Sequence, residues 1–372
     1  MKVGLNATCL NDRPSGAKQR FIGIYGELIK RLPECEFVIF EPEDCRVGAW
    51  FDGASNVTVR RTPLPSAGRF QRFFHGLSYW PGVLAQEKLD LFECFNQPLV
   101  KAPTGKTILT IHDIRRVHDG WASLEKVLYR ASLARDLKLA DHVITVSESM
   151  KQEINGLFPA SQITFIYNGF AAQLFDAVTE KDLYDFRTKN DLPLEFLLAV
   201  GHLEPRKNYA TLIEAMAILR NQGKPSNLLI IGNDSGERKK LELQINRAGL
   251  AGQVKFLSGL SDLEVRCAYK LSSLFIFPSV YEGFGIPILE AMAAGVPMVL
   301  SDIAVFKEIT QKKGVYFPPE SADLMAKAIN RVLTIDSVSR QLIEHGKERV
   351  NAFQFTALAS QVHGLYLKLL QN

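Results

Sequence analysis

The stretch Leu274–Asp302, LFIFPSVYEGFGIPILEAMAAGVPMVLSD, decides how the rest of the chain is read. It opens on LFIF, an apolar run of strand length, and passes through a loop carrying Pro278, Gly283 and Gly285. The helical segment GIPILEAMAAG follows, and a second strand, PMVLSD, comes directly after it. Continuous apolar runs joined by a helix read as parallel strands buried on both faces.

Outward from this unit the pattern repeats. FLLAVG, NLLIIG and VKFLSG are strands of the same half, with helices such as YATLIEAMAILRNQ between them. Upstream of the charged, helix-like connector TEKDLYDFRTKNDLP, a first series runs through KVGLNA, EFVIF, LFECF, TILTIHD, HVITVS and ITFIYNG. A long helix, AKQRFIGIYGELIKRL, follows the first of these strands. The fold class is therefore α/β, with two doubly wound, Rossmann-like domains facing a cleft. Ligands of such sheets bind beyond the carboxyl ends of the strands, so function is sought in the loops that follow them.

Composition narrows the classes. Of 372 residues, 47% are hydrophobic and 23% charged, the profile of a globular protein and not of a disordered or coiled-coil chain. A net charge of +4 is too small to argue for nucleic acid. No uncharged apolar run has the length of a spanning helix, and MKVGLNATCL meets Asp12 and Arg13 too soon for a signal peptide. Five widely spaced cysteines, without a C-x-x-C pair, read as free thiols of a reduced cytoplasm.

The chemistry-bearing residues sit at strand ends. GHLEPRKN, Gly201–Asn208, places Arg206 and Lys207 near a helix start, where cations and backbone N–H groups together suit a diphosphate; alone, the loop reads equally as a solvated basic turn. Glu282 lies in the loop after LFIF and Glu290 in the following helix, so both carboxylates address one ligand. Carboxylates accept pairs of sugar hydroxyls, and Glu290, on a helix that is apolar nearly all round, needs a partner. His112 and Asp113 end the strand TILTI, where a His-Asp pair is as readily a structural hydrogen bond as a reacting group. The Ser15-Gly16-Ala17 loop before the first helix is a weaker signal of the same kind.

Together with ADHVITVSE (140–148) and IYNGF (166–170), these segments resemble the retaining, GT-B-fold glycosyltransferases of family 4, the group that includes mannosyl- and glucosyltransferases of surface-glycan and lipopolysaccharide biosynthesis. The resemblance spans nearly the whole chain and implies a donor-binding second domain, 190–350, and an acceptor-binding first domain, 1–180. NAFQFTALASQVHGLYLKLL (351–370) is similar to the family's last helix, so 353–372 is expected to cross back to the first domain.

By the resemblance, Arg206 and Lys207 hold the donor diphosphate, Glu290 the ribose, and Glu282 with the Gly283–Phe284–Gly285–Ile286 backbone the transferred sugar. His112 and Asp113 stand at the reacting face, Gly16 brings amides to the phosphates, and Leu260 brackets the base. His202 stands where many members carry Arg, and a neutral imidazole does not replace a guanidinium fork.

The implied reaction is retaining transfer of a mannose- or glucose-type hexose from a GDP- or UDP-sugar to a glycan or lipid-linked acceptor. No metal or other cofactor is expected, since no D-x-D occurs in the chain. A sugar-nucleotide epimerase of the same architecture and a non-enzymatic sugar-binding protein are the alternatives. A cytoplasmic protein, peripheral on the inner face of a membrane, is the expected location. From Gly53 to Gln86 there is no acidic residue, while Arg60, Arg61, Arg69 and Arg72 are basic, so an anionic membrane surface is a candidate partner. Phe70, Phe73, Phe74 and Leu77 follow helical spacing there, and that stripe equally suits packing on the domain's own sheet.

Overall fold

The computed structural model describes residues 1–13, 15–95, 97–118, 124–158 and 162–371. The side chains of Arg69, Phe70 and Phe73 lie outside that description, so the part of the aromatic and basic stripe that falls on them does too. The chain divides into two compact units, one made of Met1–Phe170 with Phe353–Asn372 and the other of Ala171–Ala352.

In the first unit the strands are β1 (Lys2–Asn6), β2 (Glu36–Glu41), β3 (Val57–Arg61), β4 (Leu91–Cys94), β5 (Lys106–Ile111), β6 (His142–Thr145) and β7 (Ile163–Phe165). They form one parallel sheet in the order β3-β2-β1-β4-β5-β6-β7, with Leu5 beside Ile39 on one flank and Glu93 on the other. The central strands are buried on both faces, which is why their sequences run apolar without alternation. The order reverses between β1 and β4, and the loops after these two strands diverge to leave a crevice.

The first helix is not uniform. Gly16–Arg20 is α-helical, Phe21–Tyr25 is a π-helical turn, and Gly26–Arg31 is α-helical again. The wider turn buries Phe21, Ile24 and Tyr25 together. Gly23, inside it, receives the ring of Phe355, and a Cβ at Gly23 or at Gly169 would overlap that ring. Phe355 begins the last helix, Phe355–Gln371, which buries Leu358, Val362, Tyr366 and Leu369 in the first unit's core. Tyr366 Oη donates to Glu93 Oε2 at 2.5 Å, while Tyr25 and Thr110 donate to Oε1, also at 2.5 Å. Three hydroxyls thus satisfy a carboxylate that has no exposed surface.

The helix Arg69–Glu87 forms as its spacing predicts. Trp80 is buried against Phe40 and Phe92, whereas Phe74 is 63% and Leu77 59% exposed. Of the basic residues, Arg60 pairs with Glu87 at 2.7 Å, Arg61 donates to the Glu43 carbonyl, and Arg72 turns inward to the Ser66 carbonyl. Among the described residues no helix is long and apolar enough to cross a membrane.

The second unit holds β8 (Leu197–Val200), β9 (Leu228–Ile231), β10 (Val254–Leu257), β11 (Leu274–Phe277), β12 (Met298–Ser301) and β13 (Val315–Phe317). They too are parallel, in the order β10-β9-β8-β11-β12-β13, and this order reverses between β8 and β11. Residues 171–180, which the sequence reading places with the first domain, pack in this unit. The helix Glu180–Lys189 starts at a Thr179–Asp182 capping box and lies on the helix Asp262–Leu271, where Lys189 meets Glu264 at 2.7 Å.

Candidate active site

The second unit's site grows from the two loops at its strand-order reversal. Beyond β8 the chain turns at Gly201, whose φ of +149° and closeness to Lys207 exclude a side chain: a Cβ there would lie 2.8 Å from Lys207 Cε. A short 3₁₀ turn, Pro205–Lys207, then aims Arg206 and Lys207 toward the loop after β11. A backbone bond from Val280 N to Arg206 O, 2.9 Å, ties the two loops together. Gly285, at φ +138°, ends the second loop and caps the helix Ile286–Ala294.

Between these loops lies a quartet of charges. Glu282 Oε1 accepts from Arg206 Nη1 at 2.6 Å and Lys207 Nζ at 2.7 Å, and Glu204 Oε1 accepts from Arg206 Nη2 at 2.7 Å. Two carboxylates and two cations balance, so the loop that reads as basic in sequence is locally neutral in the fold. The Lys207 side chain is 8% and the Glu282 side chain 12% exposed. Burial presses the Lys207 ammonium below its ordinary pKa against the pull of Glu282. Burial would raise Glu282, but Lys207 and Arg206 outweigh it and hold the carboxyl low. The ammonium also lies 4.7 Å from the centre of the Phe277 ring. Arg206 Nε is enclosed without a hydrogen-bond partner.

Glu290 takes a hydrogen bond from Tyr269 Oη to its Oε2 at 2.7 Å. Burial raises its pKa to about 7, Asp262 adds to the rise, and the tyrosine bond opposes it. Tyr269 is the partner that the apolar helix demands, and it comes from the helix Asp262–Leu271. Gly283, Phe284 and Gly285 are buried on the loop beside Glu282, with Ile286 half-buried at the first helical turn. Leu260 is half-buried just ahead of the Ser261 cap. His202 is exposed and enters only through its backbone carbonyl, which accepts from Glu204 N at 2.9 Å.

In the first unit His112 and Asp113 follow β5. Burial, and then the charge of Arg20, lower the His112 pKa to about 3, so the imidazole is neutral. Asp113 is exposed and its Oδ1 accepts from Arg115 N at 3.2 Å, a local turn bond. Gly16 is the first residue of the helix capped by Ser15. Arg20 is 1% exposed, and its Nη1 donates to Ile166 O at 2.8 Å and Tyr167 O at 2.7 Å.

Sequence reasoning did not single out Glu204, Tyr269, Arg20 or Glu93. Glu204 lies within GHLEPRKN, and Glu93 within the apolar run LFECF; a carboxylate in either place is itself a signal. Among the described residues no group of three or more His, Cys, Asp or Glu side chains is arranged to hold a metal ion.

Two family models match the chain. "Glycosyl transferases group 1" covers residues 180–349 and "Glycosyltransferase Family 4" covers residues 24–174. The chain is 30% identical over 271 residues to O-antigen chain mannosyltransferase RfbU of Salmonella typhimurium, covering 71% of each protein. It is 28% identical over 266 residues to O-antigen chain mannosyltransferase B of Escherichia coli, covering 70% of each. The crystal structure of Anabaena Alr3699/HepE in complex with UDP and glucose superposes with a TM-score of 0.77 at 19% identity, over 99% of this chain and 100% of that one. That last likeness establishes the GT-B fold alone. With the two models meeting the two units in order, and a relative matched over most of its length, the chain belongs to the group 1 glycosyltransferases of family 4.

Proposed function

We propose that this glycosyltransferase moves a hexose, mannose in the first instance, from a GDP- or UDP-sugar to a glycan or lipid-linked acceptor, with retention at the anomeric carbon and without a metal ion. The mannosyltransferase names of two relatives support the sugar, and the nucleotide in the Anabaena structure supports the donor class. The observation that carries the reading is the Lys207–Glu282–Arg206 bridge at the strand-order reversal.

A nucleotide-sugar diphosphate competes with Glu282 for the two cations. As Lys207 Nζ and Arg206 Nη1 turn to phosphate oxygens, the carboxylate is released to accept hydroxyls of the sugar. The anomeric carbon–oxygen bond to phosphate breaks as the acceptor oxygen bonds to the same face. The departing phosphate takes the acceptor proton, and its charge is offset by Lys207 and Arg206. Glu290, ionised, accepts the ribose hydroxyls. Neutral His112 serves as a hydrogen-bond partner at the reacting face rather than as a charged group. The absence of D-x-D from the chain supports charge compensation by side chains.

The acceptor is presented at an anionic membrane surface, a reading supported by the exposed Phe74 and Leu77 on the Arg69–Glu87 helix. The test of the mechanism is transfer from a radiolabelled GDP- or UDP-hexose panel in excess EDTA, with the product anomer read by NMR. Undiminished rate and retained configuration are expected. Loss of transfer on chelation, restored by magnesium or manganese, overturns the metal-free reading, and an inverted product overturns retention.

A further inference from the structure

The first unit carries a crevice of its own at the reversal between β1 and β4, the place where an open α/β sheet offers a ligand site. A cavity of about 170 Å³ opens there, bounded by Asn6 and Thr8 beyond β1 and by Pro98–Lys101 beyond β4, and roofed by the helix Arg69–Glu87. Its walls have two characters. Leu64, Trp80, Pro81 and Leu99 make an apolar side, while Arg72, Lys101 and Arg135 make a basic side on which, among the described residues, no acid stands. Arg72 also faces an adjoining depression with Arg115, Arg116 and, among the described residues, one acid, Asp113. Lys101 and Arg135 are tied to Asp141 and Asp136, which do not line either space. Among the described residues Arg72 donates to the Ser66 carbonyl, with Asp44 held on the same serine, and its Nε is enclosed without a hydrogen-bond partner. Burial lowers its pKa and outweighs the opposing pull of Cys9 and Asp44, so the cation is held there at a cost that an anion would relieve.

We propose that this cavity binds a phosphate or diphosphate ester on the acceptor, with Arg72 as the principal ligand and the Trp80–Leu99 wall against the group that the ester carries. The identification of that ligand as an acceptor rests on the transferase reading; the anion site itself does not. Arginine matches phosphate oxygens with two parallel N–H bonds, and a second arginine in the adjoining depression, Arg116, suits a group of more than one negative charge. An amphiphilic slot selects an ester over free phosphate, because only an ester fills the apolar side.

The probes are n-hexyl phosphate, glucose 1-phosphate, inorganic phosphate and neutral hexyl glucoside, titrated calorimetrically. The parent is Lys207→Ala, so that the donor site contributes little. Both esters are expected to bind, inorganic phosphate more weakly and the neutral glucoside least. A preference for hexyl phosphate indicates a lipid-linked ester and a preference for glucose 1-phosphate a phosphorylated glycan; both support the proposal.

Adding Arg72→Gln should weaken ester binding by about 10- to 100-fold, the scale of a charged hydrogen bond. Arg116→Gln, at an exposed position and therefore safe for folding, should weaken it by about 2- to 5-fold. Ester binding unchanged by both substitutions, or neutral glucoside bound as tightly as the esters, overturns the proposal. Should Arg72→Gln unfold, Arg116→Gln decides. Arg72→Gln in the otherwise native chain should bind nucleotide sugar normally. Nucleotide sugar that fails to bind the native chain refutes the donor reading while leaving the cavity's anion affinity to be judged by the esters alone.

Discussion

Donor binding should depend on pH through Glu290. Its pKa of about 7 means that about nine-tenths of the unliganded protein carries the carboxylate at pH 8 and about one-tenth at pH 6. If the ionised form accepts the ribose hydroxyls, affinity should fall about tenfold between these values, or about 1.4 kcal/mol. The ligand should be an intact nucleotide sugar, because a terminal phosphate has its own ionisation near pH 6.

Calorimetric titration of wild type and Glu290→Gln is the assay. Wild type should show the tenfold fall, and the variant should bind more weakly than wild type at pH 8 with little change between pH 8 and 6. Stability should move the opposite way. A carboxyl raised in the folded state contributes stability that is complete below its unfolded value of 4.5 and is lost as pH rises through about 7. The rise from 4.5 to about 7 sets an upper bound of about 3 kcal/mol. Glu290→Gln should therefore gain about 1–3 kcal/mol in unfolding free energy relative to wild type between pH 4.5 and pH 8, measured with urea. A flat wild-type affinity, or an equal slope in both proteins, refutes the placement of Glu290 at the ribose.

Three further outcomes follow from the same geometry. Lys207→Ala should lower kcat by about 10²–10³, the cost of removing one preorganised charge from a departing phosphate, as read in steady-state transfer. Gly23→Ala and Gly169→Ala each force the Phe355 ring out of its seat and should each cost about 1–3 kcal/mol, seen in thermal unfolding with secondary structure retained. Phe74→Ser with Leu77→Ser should abolish cosedimentation with anionic liposomes without altering nucleotide-sugar affinity; recovery equal to wild type would place membrane contact elsewhere.

The two sheets are legible in the sequence because a parallel strand buried on both faces has no choice but to be apolar throughout, as LFIF and MVLS are. The same holds for the loops GHLEPRKN and SVYEGFG: each follows a strand, and strand ends are where such sheets present ligands. The helix spacing around Phe74 and Trp80 likewise announces a helix, though not which of its residues turn inward.

What the sequence leaves open is pairing between residues far apart along the chain. Arg206 and Lys207 look like an uncompensated basic pair until the fold brings Glu282, some 75 residues on, within 2.7 Å of both. Glu290 calls for a partner, but that it is Tyr269, and that the residue is poised near neutrality, follows only once burial and the neighbouring helix are in place. The ring of Phe355, from the other end of the chain, occupies the space beside Gly23 within the π-turn Phe21–Tyr25, a contact no local pattern announces. Patterns of period and turn residues are local and are written in order, so the sequence by itself determined the inner strands, most helices and the loops that matter. The short edge strands Val57–Arg61 and Val315–Phe317 are not legible there, for want of a long apolar run. Electrostatic balance and close packing depend on distances through space, so tertiary structure alone decided which charges are neutralised, which carboxylate titrates and which helix face is left to solvent.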